Sequence, residues 1–81
     1  MNWYVYILRC ADDTLYTGIS TNLDRRVKEH NSNDGKGAKY TRVRQPVRLV
    51  YSEQVDNRSE ASKREALIKK LSRKDKLVLI G

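Results

Sequence analysis

Residues 3–19, WYVYILRCADDTLYTGI, decide the fold of this chain of 81 residues. The segment WYVYILR is rich in aromatic and β-branched residues, LYTGI is a second short run of the same kind, and CADDT between them contains turn-forming residues. Two such runs joined by a short turn are typical of a β-hairpin. We therefore predict paired strands over residues 3–9 and 14–19.

The rest of the chain contains signals for helices and for one more strand. Residues that can cap a helix precede two helical stretches, and two glycines followed by Gln45-Pro46 indicate a loop. The predicted elements are a helix over about residues 22–31 capped by Thr21 or Asn22, a loop over 32–46, a strand over 47–55, a helix over about 59–71 capped by Ser59 or Asn57, and a short last helix from RKDKLVLI. The order ββαβα plus a short C-terminal helix predicts one α+β domain over residues 1–81, with a small, mostly antiparallel three-stranded sheet flanked by helices.

Charge and composition narrow the classes of partner. The chain has 17 Lys and Arg against 10 Asp and Glu, a formal net charge of +7. This balance favours a surface that meets polyanions, with nucleic acid as the first candidate, although a merely basic soluble protein has the same balance. The single Cys10 and the single histidine exclude an internal disulfide and a Cys/His zinc cluster. No stretch approaches the roughly 18 to 20 apolar residues of a membrane span and no signal peptide is evident, so we expect a cytoplasmic protein without a membrane partner.

Tyrosine is used here to the exclusion of phenylalanine. The chain has five tyrosines and no phenylalanine, and three of the tyrosines lie within residues 4–21. A buried phenylalanine packs as well without a hydroxyl that needs a partner. We therefore expect some of these hydroxyls to have a function.

The first predicted helix places two polar side chains beside its apolar stripe. Leu23 and Val27 are its only large apolar residues, and positions spaced i, i+3, i+4 and i+7 share one face. Arg26 and His30 complete this stripe. One interpretation is structural, with an arginine stem covering the core edge and a histidine at the helix end; the other places both in a functional site.

The second long helix directs a carboxylate toward its packed side. Glu65 shares a face with Ala61, Ile68 and Ser72 at helical spacing. A carboxylate in that position is costly unless it is paired or bound to a metal. An ion pair with a nearby Lys or Arg and simple exposure are the structural alternatives to a metal ligand.

Tyrosines, an arginine, a histidine and one inward carboxylate in a basic protein suit phosphodiester hydrolysis. The reaction needs a group that takes a proton from water, positive charge on the phosphate oxygens and stabilisation of the departing oxyanion. Arginine binds phosphate through its planar fork, and Mg commonly binds through one or two carboxylates while it keeps its waters.

These residues resemble the motifs of the GIY-YIG nuclease superfamily, and most closely its small single-domain bacterial members, which are similar in turn to the catalytic domain of a structure-specific repair nuclease. YVY at 4–6 stands where the family has GIY, and YTG at 16–18 stands where it has YIG. NLDRRVKEHN, GKGAKYT and SEASKREALIKKL follow in the family's order. Three features depart from the pattern. Tyr4 replaces the first glycine, Ile19 stands where some relatives have a lysine, and the last stretch, SRKDKLVLIG, has no match for an asparagine that some relatives have near the end.

The resemblance implies a metal-dependent endonuclease acting on nucleic acid, with DNA favoured, and assigns roles to five residues. Tyr16 would be the general base that activates water, and Tyr6 would position the water or the phosphate beside it. Arg26 would bind the scissile phosphate, and His30 would assist in proton transfer or phosphate contact. Glu65 would hold the single Mg (or Mn) ion that stabilises the leaving 3′ oxygen.

A module that binds nucleic acid without cutting it is the alternative from another functional class. Its phosphate contacts would come from a basic surface, and the candidates are Lys36, Lys39, Arg42, Arg44 and Arg48. A basic domain that binds an acidic protein is a third interpretation, and a protein partner that supplies specificity is compatible with the nuclease. The two nucleic-acid interpretations differ at Glu65, because only a nuclease loses metal-dependent turnover when this residue is replaced.

Overall fold

A three-stranded antiparallel sheet forms the centre of the molecule. The computed structural model describes residues 2–81. Strands β1 (Trp3–Arg9), β2 (Leu15–Ser20) and β3 (Arg48–Val55) lie in the order β2-β1-β3. The helices are α1 (Leu23–His30), α2 (Lys39–Arg42), α3 (Arg58–Lys69) and α4 (Arg73–Ile80). The predicted α+β class and sheet are confirmed.

The alternation of side chains in β1 builds two small cores, one on each face of the sheet. Val5 and Ile7 are buried against Ala61 and Ile68 of α3, with residues of α4 at the edge of this cluster. The opposite face carries a second cluster, formed by Tyr6, Leu8, Cys10 and Val47 and covered by Tyr16, Leu23 and Val27. Since neighbouring strand residues point to opposite faces, one strand contributes to both cores and fixes α1 and α3 on opposite sides of the sheet.

Asparagine side chains begin both long helices. The Asn22 side chain accepts a hydrogen bond from the Arg25 amide at 3.0 Å, and the Asn57 side chain accepts one from the Glu60 amide at 2.9 Å. Each cap satisfies an amide that has no partner within its helix. Asn22 and Asn57 are therefore the caps among the alternatives that the sequence offers.

The predicted loop is wrong, and the second long helix ends two residues before its approximate predicted end. The segment 32–46, predicted to be a loop throughout, contains the single helical turn α2. Helix α3 ends at Lys69 rather than at residue 71, and Ser72 caps α4 by accepting a hydrogen bond from the Asp75 amide at 3.1 Å. Ser72 therefore does not extend the stripe of Glu65, because a serine at this position satisfies the start of a new helix better than the end of the old one.

Within residues 2–81, no helix has the length and apolar character needed to cross a membrane.

Candidate active site

Tyr6 and Tyr16 lie side by side on the face of the sheet that α1 covers. The strand register pairs Tyr6 with Gly18 and Leu8 with Tyr16, and the centroids of the two tyrosine rings are 6.5 Å apart. Tyr6 is 1% exposed, whereas Tyr16 is half-buried. The two tyrosine rings that the sequence singles out are therefore neighbours, and Tyr16 is the more exposed of the two.

Gly18 makes room for the Tyr6 ring. A Cβ atom at Gly18 would lie 2.6 Å from Cζ of Tyr6, closer than carbon atoms can pack. The third residue of the YTG motif is thus required by its neighbour in the sheet. The YTG motif marks this glycine in the sequence, whereas the chemistry of a glycine residue alone does not identify it as part of a site.

A chain of buried hydrogen bonds connects Tyr6 to α2. The Tyr6 hydroxyl lies 2.9 Å from Nε2 of His30, and Nδ1 of His30 lies 2.7 Å from Oγ1 of Thr41. Thr41 donates its own proton to the Ala38 carbonyl at 3.0 Å. With that proton engaged, the 2.7 Å contact of Nδ1 with Oγ1, much shorter than the 3.4 Å contact of the Ala38 amide with Nδ1, favours a ring proton on Nδ1, so that Tyr6 donates to Nε2. His30 and Thr41 are both 0% exposed.

Burial keeps the Tyr6–His30 pair neutral. Burial, reinforced by the nearby Arg26 charge, lowers the pKa of His30 to about 4, although Glu29 acts in the opposite direction. Burial raises the pKa of Tyr6 to about 12, and the hydrogen-bonding influence of Arg26 only partly offsets it. A phenol that donates to an uncharged imidazole therefore describes this pair near pH 7.

Arg26 is held between α1 and the loop that follows it. Its Nη1 donates to Oε1 of Glu29 at 2.9 Å and to the Lys36 carbonyl at 2.8 Å. Burial alone would lower the pKa of Arg26, but the interactions with Glu29 and Tyr6 outweigh it and the pKa is raised. An arginine has five N–H donors, so the guanidinium is oriented by these two bonds and keeps donors for a ligand.

Glu65 lies on α3 with its carboxylate half-buried. Its side chain is 23% exposed and Oε2 is 3.4 Å from Nζ of Lys69, one helical turn away. Its negative charge contributes to the raised pKa of Tyr6, after the larger effect of burial. The carboxylate is thus within electrostatic reach of the tyrosine, and the ion pair considered as a structural alternative is present as well.

A divalent metal is compatible with Glu65 as a single protein ligand. Among the side chains of residues 2–81, no group of three or more His, Cys, Asp or Glu is arranged to hold a metal ion. One carboxylate nevertheless suits Mg, which takes hard oxygen ligands and commonly completes its shell with waters and substrate phosphates. The residues therefore fit an ion that binds together with a phosphate ligand.

Tyr16, Tyr40 and Arg44 form a stacked column, which the sequence did not predict. The rings of Tyr16 and Tyr40 stack with centroids 5.9 Å apart, and the Arg44 guanidinium lies 3.9 Å above the Tyr40 ring. Nε of Arg44 is 3.0 Å from Oδ2 of Asp12 in the hairpin turn. The column fixes the orientation of Tyr16, and the only signal for it in the sequence is that Tyr40 and Arg44 are four residues apart.

The predicted nucleic-acid contacts divide into two groups. Arg44 is half-buried and occupied by its contacts with Asp12 and Tyr40. The remaining four candidates are exposed, namely Lys36, Lys39, Arg42 and Arg48.

Gly37 is a second glycine that the site requires. A Cβ atom there would lie 2.7 Å from the Glu29 carbonyl oxygen and 2.8 Å from Cα of His30. The loop can approach the end of α1 only because this position has no side chain. This approach brings Ala38 and Thr41 to His30.

Comparisons with known proteins identify the family of the chain. Residues 2–77 match the model of the GIY-YIG catalytic domain. The chain is 62% identical to a UPF0213 protein of Desulfotalea psychrophila, over 96% of this chain and 70% of that protein. It is 58% identical to a UPF0213 protein of Clostridium perfringens, over 96% of this chain and 82% of that protein.

A solved structure is similar over the same length. The solution NMR structure of a UPF0213 protein from Bacillus halodurans is 50% identical and superposes with a TM-score of 0.61, covering 99% of this chain and 83% of that chain. The family model and the relatives each cover most of the chain. The chain therefore belongs to the GIY-YIG family, whose catalytic domain is of the endonuclease type.

Proposed function

We propose that this protein is a metal-dependent endonuclease that hydrolyses phosphodiester bonds in DNA. The observation that best supports the proposal is that four of the residues assigned by the motifs act on the fifth, Tyr6. His30 bonds to its hydroxyl and Tyr16 lies beside its ring, while the charges of Arg26 and Glu65 shift its pKa in opposite directions. Membership of the GIY-YIG family supplies the type of reaction.

Tyr16 is the general base in this proposal. Tyr6 is buried and donates its proton to His30, so water reaches its oxygen poorly. Tyr16 is half-buried, and its ring is held by Tyr40 on one side and by the edge contact with His30 on the other. It takes the proton of the attacking water as the new oxygen–phosphorus bond forms and the bond from phosphorus to the leaving 3′ oxygen breaks. A phenol does this only as its phenolate or by passing on its own proton in the same step.

Arg26 binds the scissile phosphate. Glu29 and the Lys36 carbonyl hold its guanidinium in place, and the remaining donors suit two oxygens of one phosphate. Because the group is ordered before substrate binds, little side-chain entropy is lost on binding. His30 supports this arrangement by holding Tyr6 beside the phosphate.

Glu65 is the residue that would hold one Mg or Mn ion. When bound, such an ion offsets the negative charge that develops on the leaving 3′ oxygen.

Single-turnover cleavage of labelled DNAs tests the proposal. The panel contains flaps, nicks, branched junctions and single strands, each with Mg, with Mn and with EDTA. We expect metal-dependent cleavage of at least one structure, and loss of cleavage with retained binding in Glu65→Ala. Glu60→Ala is the matched control, because Glu60 is exposed on the same helix. Binding of the panel without any cleavage by folded protein would contradict the proposal.

Binding of nucleic acid without cleavage is the second candidate function. The exposed lysines and arginines of residues 36–48 favour it, because they can contact backbone phosphates. This function predicts that Glu65→Ala removes nothing, since there is no turnover to lose.

A further inference from the structure

An open cleft lies where the end of β2, helix α1 and the start of α3 meet. It encloses about 340 Å³, and the lining residues that matter here are Trp3, Arg25, Arg26, Glu29 and Arg58. Arg26 is also the residue proposed to bind the scissile phosphate. The cleft therefore opens directly beside the candidate active site.

The charge of the cleft favours an anionic ligand. Three arginines and one glutamate line it, a net charge of +2. The glutamate is already shared, with Glu29 at 2.9 Å from Nη1 of Arg26 and 3.8 Å from Nε of Arg25. Arg58 lies over the Trp3 ring, 5.8 Å from its centroid, so its contact is aromatic rather than acidic. Both Arg25 and Arg58 are exposed and can turn toward a phosphate.

The position of Arg58 on α3 fixes the separation of its backbone from that of Glu65. Arg58 and Glu65 are seven residues apart and share one face of the helix. At 1.5 Å per residue, their backbones are about 10.5 Å apart along the axis. Arg58 is thus placed for a phosphate near the one at Glu65, and not for the same one.

The geometry points to a subsite for the nucleotides that flank the scissile phosphate, an inference that rests on the proposed nuclease function. Arg25 and Arg58 contact backbone phosphates of the strand being cut, and Trp3 packs against a sugar or a base. Trp3 is half-buried beside the cleft, and aromatic side chains stack on every kind of base. The subsite therefore recognises a nucleic-acid strand without reading its sequence.

Trp3 fluorescence reports on DNA binding at the subsite, because Trp3 is the only tryptophan of the chain. The flap and single-strand DNAs of the cleavage panel are titrated in EDTA, and both Trp3 fluorescence and the anisotropy of the labelled DNA are followed. We expect the fluorescence change to saturate at the same DNA concentration as the anisotropy.

Charge variants separate the subsite from general attraction to DNA. Arg58→Gln should weaken binding roughly fivefold or more and reduce the slope of log affinity against log salt by about one. Lys63→Gln removes the same charge from an exposed position of the same helix, and should stay within about twofold of the wild type. Circular dichroism checks that both variants fold.

The outcomes distinguish the proposed subsite from the proposed nuclease function. Binding and metal-dependent cleavage without a Trp3 response, or equal effects of Arg58→Gln and Lys63→Gln, would overturn the subsite and leave the nuclease intact. No binding by anisotropy would overturn both.

Discussion

His30 shows how burial decides the chemistry of one side chain. The ring is fully buried between the hydroxyls of Tyr6 and Thr41, and its pKa falls to about 4. A neutral imidazole can accept the Tyr6 proton through Nε2, which an imidazolium cannot. The site thus contains an uncharged acceptor close to a cationic arginine.

This pKa predicts a loss of stability in mild acid. In the unfolded chain His30 has a pKa near 6.5, so it is protonated below that pH. In the folded chain the same side chain stays neutral until about pH 4. The contribution of the neutral histidine to stability is therefore fully present above about pH 7. The free energy of unfolding should fall by about 2 kcal/mol between pH 7 and pH 5. Urea unfolding at these two pH values measures the loss.

NMR gives a direct check, since His30 is the only histidine. Its ring signals should not titrate between pH 8 and pH 5. A midpoint near 6.5 in the folded protein would contradict the buried neutral ring.

Helix α2 illustrates what sequence patterns leave out. It has four residues, KYTR, within a polar segment that contains two glycines, and neither length nor periodicity marks it as helical. Its turn is fixed by tertiary contacts, because Thr41 binds His30 and Gly37 allows the loop to approach α1. By contrast, the hairpin and the long helices follow from alternation, periodicity and capping residues.

Replacing Thr41 tests whether α2 supports the site. Thr41→Val keeps the shape of the side chain but leaves Nδ1–H of His30 without its acceptor, and we expect a cost of about 1 to 3 kcal/mol in unfolding free energy. Thr41→Ser retains the hydroxyl and should recover most of that loss. Denaturant unfolding of the two variants provides the measurement. Equal stability of Thr41→Val and wild type would show that the bond to His30 is not important.

The whole molecule brings together residues that are distant in the sequence. Tyr6 and Tyr16 meet through the strand register and His30 reaches them from α1, whereas Glu65 lies on α3, across the sheet from α1, and acts on Tyr6 through its charge. Helical periodicity in the sequence predicts that Arg26, His30 and Glu65 face packed sides. The same periodicity does not show that Tyr6 is buried and Tyr16 accessible, because that difference depends on how α1 and α2 cover the sheet.

The net charge of the molecule attracts nucleic acid but does not by itself position a catalytic group. A net charge of +7 attracts any polyanion, but cutting requires one oriented base. Arg44 shows the difference, since it contributes to the total charge while its contacts with Tyr40 and Asp12 hold the Tyr16 ring in place.

Single-turnover cleavage by Tyr16→Phe tests the central claim most directly. The substitution removes one hydroxyl and keeps the ring that stacks on Tyr40. If Tyr16 takes the proton of the attacking water, the rate should fall by roughly 10² to 10⁴ while DNA binding stays within about twofold. Cleavage by Tyr16→Phe at close to the wild-type rate would contradict the assignment of Tyr16 as the general base.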